Sequence, residues 1–162
     1  MERLHTIADN LQITITKIDS KSIDQLIGLA TQYLVSMSVE FTETQLRSFI
    51  DFLTKDEQAI VVAASSETQM LAFLTAYFAP STGLLSRALI INDLFVLPSH
   101  RRQSIATYMY EFAFEYARSD GVHYIRWLAR PENAEALSFH RQFQAREGSW
   151  IRFTKVLAND AN

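Results

Sequence analysis

The chain has 162 residues, 48% hydrophobic and 20% charged, with four glycines, three prolines and no cysteine. That length and apolar content fit one domain around one core and exclude a disordered or fibrous chain. A formal charge of -3 and a pI near 5.8 argue against nucleic acid or an anionic membrane as the main partner, since both select basic surfaces; the absence of cysteine excludes disulfides, thiolate zinc sites and a catalytic thiol, and makes a reducing cytoplasm the default compartment.

Met1 to Asn10 are mixed and polar, without the apolar stretch of an export signal. Ile13 and Ile15 alternate with Thr14 and Thr16, the pattern of a half-buried strand. Ser22-Ile23-Asp24-Gln25 has the form of a capping box and predicts a helix whose buried stripe is Ile23, Leu26, Ile27, Ala30, Tyr33, Leu34 and Met37. A second box, Thr42-Glu43-Thr44-Gln45, predicts another helix with Leu46, Phe49, Ile50 and Leu53 on one face. Ala59 to Ala64 and Met70 to Phe78 are β-rich runs joined by Ser65-Ser66-Glu67-Thr68, a hairpin, and Pro80 to Gly83 closes the second run. The longest apolar stretch, Met70 to Ala79, is about half of the roughly 20 residues that a membrane-crossing helix needs.

Ala88 to Val96 predicts a further strand, interrupted by the polar pair Asn92-Asp93 and ended by Leu97-Pro98-Ser99. Ser104 to Arg118 turns helical, with Ile105, Met109, Phe112 and Tyr116 on one stripe, and Asp120-Gly121 stops it. Tyr124 to Ala129 predicts a strand, Asn133 to Phe143 a short helix and Trp150 to Val156 a last strand, before a frayed tail. Helices between strands imply a mixed α/β sheet with helices on its faces, because a strand-helix-strand connection makes a parallel pair.

Chemistry concentrates where the strand ending at Val96 passes through His100-Arg101-Arg102-Gln103 into a helix. The N–H groups at a helix N-terminus lack intrahelical partners and carry the positive end of the helix dipole, so a phosphate can bind there, and Arg101 and Arg102 add charge. On charge alone, the same residues read more readily as a solvated loop. The segment Arg101-Arg102-Gln103-Ser104-Ile105-Ala106 resembles the coenzyme A-binding motif of GNAT-superfamily N-acetyltransferases, Arg/Gln-x-x-Gly-x-Gly/Ala after an apolar strand. Ser104 stands at the first glycine; it must avoid any backbone conformation that only glycine tolerates, and it can cap the helix or offer its hydroxyl to phosphate. Downstream, Asn133-Ala134-Glu135-Ala136-Leu137-Ser138-Phe139-His140 resembles the family's Asn-x-x-Ala-x-x-Phe-Tyr, with histidine at the tyrosine position.

The resemblance covers about residues 88–156. It implies one acetyltransferase domain with a mostly antiparallel sheet and a parallel, splayed strand pair, flanked by helices on both faces. It further implies acetyl-CoA as cosubstrate without a metal, and a primary amine of a small molecule or peptide as acceptor. Leu94, Phe95 and Val96 would hold pantetheine, with an N–H of Phe95 or Val96 polarising the carbonyl. Residues 101–106 would take the phosphates, and Asn133, Ala136 and Phe139 would line the coenzyme. His140 replaces a proposed proton donor but is mostly neutral near pH 7 at an ordinary pKa of about 6.5; it can instead orient the sulfur or pack beside the core. Asn92 cannot accept a proton as a base but can position water. Strand alternation places Asp93 on the opposite face from Asn92, either aimed at the acceptor or held in a buried hydrogen bond. Tyr33 and Glu40 are expected in the acceptor pocket by analogy. The alternatives are a catalytically weak acyl-CoA-binding or regulatory protein on the same fold, and an interaction module forming a homodimer through its last strands.

Overall fold

The computed structural model describes residues 1–7, 11–18, 22–149 and 151–155. Its elements are β1 (Glu2–Thr6), β2 (Gln12–Lys17), α1 (Ile23–Ser36), α2 (Glu43–Lys55), β3 (Ala59–Ser65), β4 (Met70–Ser81), β5 (Ser86–Val96), α3 (Ile105–Ser119), β6 (Tyr124–Trp127) and α4 (Ala134–Arg141). They fall into two compact units, Met1–Leu128 and Ala129–Asn162. None of the described helices is long and apolar enough to cross a membrane.

The first unit holds a six-stranded sheet in chain order, β1-β2-β3-β4-β5-β6. Neighbours are antiparallel except β5 and β6, which are parallel because α3 crosses between them. Ala59, Val61 and Ala63 of β3 join the core cluster beneath α1 and α2. The alternate residues Ile60, Val62 and Ala64 are buried on the opposite side, and α3 packs against β2 to β5. A sheet covered on both faces has strands that read as continuous apolar runs, which is why Ala59 to Ala64 shows no polar alternation.

Local signals largely set the helix ends. Thr42 accepts from the Gln45 N–H at 3.2 Å while Gln45 Oε1 accepts from the Thr42 N–H at 2.8 Å, so the second capping box forms. The first does not: Ser22 has φ -97° and ψ 8° and makes no side-chain cap, because its backbone leaves the extended conformation that aims a capping hydroxyl into the first turn. Phe49 lies outside the buried stripe of α2, about half exposed and stacked on Phe52 at 6.5 Å. At its other end α3 stops in a Schellman motif, with Val122 N–H on Ala117 O at 2.9 Å and Gly121 N–H on Arg118 O at 3.1 Å; Gly121 supplies the left-handed φ of 72°.

Other boundaries differ from expectation. The polar start contains β1, which pairs with β2 through Glu2↔Thr16 to Thr6↔Gln12; as a mostly exposed edge strand it has no buried face to imprint an apolar alternation. β4 runs through Pro80 to Ser81, beyond its last β3 partner at Ala59↔Tyr77, so Pro80 pairs with β5 alone and its missing N–H breaks no β3 ladder. The predicted last strand is not formed over residues 151–155, where Ile151 and Phe153 are exposed; Trp150 and Val156 lie outside the described residues, as does the tail. β-Propensity alone does not make a strand without a ladder partner.

Candidate active site

The polar pair in β5 marks a break in register. Thr75 pairs with Asp93 and Ala76 with Ile91, so Asn92 is the extra residue of a β-bulge. On the other side, β6 pairs only with Ala88 to Ile91, ending at Ile91↔Trp127. From Asn92 to Val96, β5 is therefore laddered to β4 alone, and its β6-facing backbone groups have no strand partner among the described residues. This is the splayed parallel pair.

The bulge also changes which side chains meet. Strict alternation would hold Asn92 and Asp93 apart, yet Asn92 Nδ2 donates to Asp93 Oδ2 at 2.8 Å. Thr75 Oγ1 donates to the same oxygen at 2.7 Å, and the Tyr33 hydroxyl donates to Asp93 Oδ1 at 2.8 Å. The Tyr33 ring is T-shaped on Phe73 at 5.6 Å and tilted on Phe95 at 5.7 Å. Tyr77 stands nearby, its phenol pKa raised by burial and then by the Asp93 charge, against an opposing hydrogen bond with Thr75. Sequence reading missed Thr75; its signal was a threonine inside the apolar run of β4, and among the described residues it is the buried polar one of the core. Glu40 is exposed in the α1–α2 connection and outside this hydrogen-bonded group.

After Val96 the chain makes a 3-10 turn, Pro98–His100, and enters α3 through Arg101 to Ser104. Leu94 is half-buried and Phe95 and Val96 are buried. Arg101 Nε donates back to Val96 O at 3.2 Å and its guanidinium lies 6.0 Å from the Phe95 ring centre, which ties the loop to the strand end. Arg102 and Ser104 both take left-handed backbone, with φ 62° and 63°. Ser104 thus takes left-handed backbone of the kind glycine favours, contrary to expectation, and its hydroxyl makes no cap. The first helical bond runs from Tyr108 N–H to Ser104 O, so the N–H groups of Ile105, Ala106 and Thr107 precede the i→i−4 ladder. Ile105 is fully buried and pins this turn, while Gln103 and Ala106 are half-buried beside it. A separate cleft at Gln25, Gln32, Gln69 and Leu97 includes none of the predicted coenzyme residues.

The second unit carries the other predicted residues. Asn133 Oδ1 accepts from the Ala136 N–H at 3.0 Å and caps α4. Phe139 packs edge-on against Phe143 at 5.1 Å and against His140 at 5.3 Å. His140 is half-buried, and that burial lowers its pKa from the ordinary 6.5. At pH 7 it is the neutral imidazole. Asn133, Ala136, Phe139 and His140 thus share one short helix or its cap, as their spacing predicts.

Among solved structures, an aminoglycoside acetyltransferase from an uncultured soil metagenomic sample, in complex with trehalose, superposes with a TM-score of 0.80 at 18% identity, covering 93% of this chain and 99% of the other. An aminoglycoside N-acetyltransferase in complex with CoA gives 0.77 at 14% identity, over 96% and 97%. The ribosomal-protein-alanine N-acetyltransferase of Brucella melitensis biovar Abortus 2308 gives 0.75 at 15%, over 90% and 99%. At such identities the likeness is one of fold. No curated protein matches the chain by sequence. A family model described as Acetyltransferase (GNAT) family matches residues 25–144, which takes in the strand pair, the turn into α3 and α4; the chain belongs to the GNAT acetyltransferase family.

Proposed function

We propose that residues 1–162 form one acetyl-CoA-dependent N-acetyltransferase domain acting on a primary amine of a small molecule or peptide. The observation that carries this reading is the parting of β5 from β6 after Ile91, directly before a left-handed turn into α3. Backbone groups from Asn92 to Val96 then serve pantetheine, and an N–H of Phe95 or Val96 polarises the thioester carbonyl. The first-turn N–H groups of α3, with Arg101 and Arg102, take the phosphates; residues 103–106 form that turn, and Asn133, Ala136 and Phe139 line the coenzyme.

Transfer proceeds by direct attack: the neutral amine forms the C–N bond, the C–S bond breaks, coenzyme A leaves as thiolate, and the amine proton passes to water. Asn92, exposed at the bulge, positions that water. His140, neutral at pH 7, orients the sulfur rather than protonating it. Tyr33 and Glu40 stand on the acceptor side. The aminoglycoside and ribosomal-protein relatives accord with amine acceptors as different as a small molecule and a peptide. A cysteine-free chain suits the cytoplasm.

The neutral His140 and the amide of Asn92 favour one second reading, an acyl-CoA-binding protein without turnover. Free thiol released from acetyl-CoA only on addition of an amine supports the enzyme. Coenzyme binding without thiol release across a broad amine panel supports the binder.

A further inference from the structure

We infer that Asp93 is a positioning residue, whose carboxylate clamps α1, β4 and the β5 bulge together and so sets the backbone at Phe95 and Val96. The inference rests on the acetyl-transfer reading for its catalytic consequence, though not for the clamp itself. Three donors from three places converge on the one group: Tyr33 of α1 on Oδ1, and Thr75 of β4 and Asn92 of the bulge on Oδ2, all within 2.7–2.8 Å. An ionised carboxylate is an acceptor with about four lone-pair sites, so three of them are already committed.

Each donor is itself constrained. Thr75 is 6% exposed within an apolar strand, so without Asp93 its buried hydroxyl would lose the carboxylate acceptor, which is costly. Tyr33 is held between Phe73 and Phe95, which fixes where its hydroxyl points. Asn92 is the inserted residue, and its side-chain bond to the next residue closes the bulge on itself. A bulge re-aims the strand beyond it, and here Phe95 and Val96 lie only three and four residues beyond Asn92. Asp93 therefore acts on the reaction through the backbone, and the amine proton goes to water rather than to this carboxylate.

The test uses Thr75→Val, which keeps the shape and removes the donor, Thr75→Ser, which restores it, Tyr33→Phe and Asp93→Asn, with amine-dependent thiol release followed across pH. Thr75→Val and Tyr33→Phe should each lower kcat by about tenfold to a hundredfold, the scale of a small misplacement of reacting groups. The KM for acetyl-CoA and both limbs of the pH–rate profile should stay in place, and Thr75→Ser should recover most of the loss. The inference is overturned if Asp93→Asn alone abolishes kcat and its acidic limb while the other two variants stay near wild type, since Asp93 would then be the base. Chemical denaturation of Thr75→Val, Tyr33→Phe and the double variant gives a readout independent of activity: a shared clamp makes their midpoint losses non-additive, whereas full additivity overturns it. Should no amine release thiol, the acetyl-transfer reading fails and the clamp is judged by that cycle.

Discussion

Replacing Ser104 by glycine should stabilise the protein. Ser104 sits at φ 63° and ψ 5° with no capping bond and an exposed side chain. An L-residue pays roughly 1–2 kcal/mol for left-handed backbone, which glycine does not. Glycine in turn gives the unfolded chain more freedom, worth about 0.4–1 kcal/mol. The difference leaves Ser104→Gly about 0.5–1 kcal/mol more stable, which for a chain of this size raises the melting temperature by about 1–4 °C. Gly121 is the mirror control: its φ is 72° and an added Cβ meets nothing within 4 Å, so Gly121→Ala should lose a similar amount through backbone strain alone. Calorimetry of both variants checks the pair, and coenzyme affinity of Ser104→Gly should be no weaker than wild type. A melting temperature that falls in Ser104→Gly would refute the reasoning, because the hydroxyl would then be making a bond worth more than the strain.

Replacing Arg101 and Arg102 together by alanine should weaken coenzyme binding by tenfold or more, since a hydrogen bond to a charged group is worth about 1.5–3 kcal/mol, with a far smaller change in the denaturation midpoint; titration calorimetry reads the affinity and urea denaturation the midpoint, and unchanged affinity removes the loop from the site. Thr42→Ala opens the capping box of α2 and should cost about 1 kcal/mol by urea denaturation, whereas Ser22→Ala, which breaks no cap, should cost much less. Burial lowers the His140 pKa, so as pH falls through the unfolded value of about 6.5 the unfolded chain takes up the proton first, and stability present above that pH is lost below it. His140→Phe should flatten this dependence between about pH 7 and pH 5, measured as the urea midpoint, and a slope equal to wild type would show that another group carries it.

The α1, α2 and α3 stripes were legible because each helix buries one face and leaves a period in the sequence, the hairpin because strands covered on both faces read as continuous apolar runs, and the parallel pair from the helix between its strands. Where nothing is buried the period vanishes, which hid β1 and left Ile151 and Phe153 looking like a strand with no ladder to join. The two signatures placed the loop of Arg101 to Ala106 and the Asn133–His140 helix by residue type, whereas nothing in the sequence marked the left-handed backbone of Ser104. Thr75 and the Asn92–Asp93 contact were out of reach for a different reason. A bulge is a mismatch between two strands, and neither strand alone records it; Asn92 and Asp93 in an apolar run announced that something was needed there, but only the register with β4 shows what.

The divergence of β5 from β6 has two anchors rather than one. On one side, the bulge at Asn92 bends β5, and the Asp93 bonds to Thr75 and Tyr33 hold its far end to β4 and α1. On the other, Trp127, the last β6 residue paired with β5, stacks on Phe114 at 6.0 Å and meets Tyr110 edge-on at 5.5 Å, so α3 holds the point at which the pair ends. Tyr110 is buried deeply enough that its phenol is held protonated well above the ordinary range, and it therefore serves as packing. Beyond the bulge β5 is held to β4 and α1, while the end of β6 is held to α3. A ligand bonding to the β6-facing backbone of residues 92–96 would displace no described strand from another, which keeps the cost of binding low.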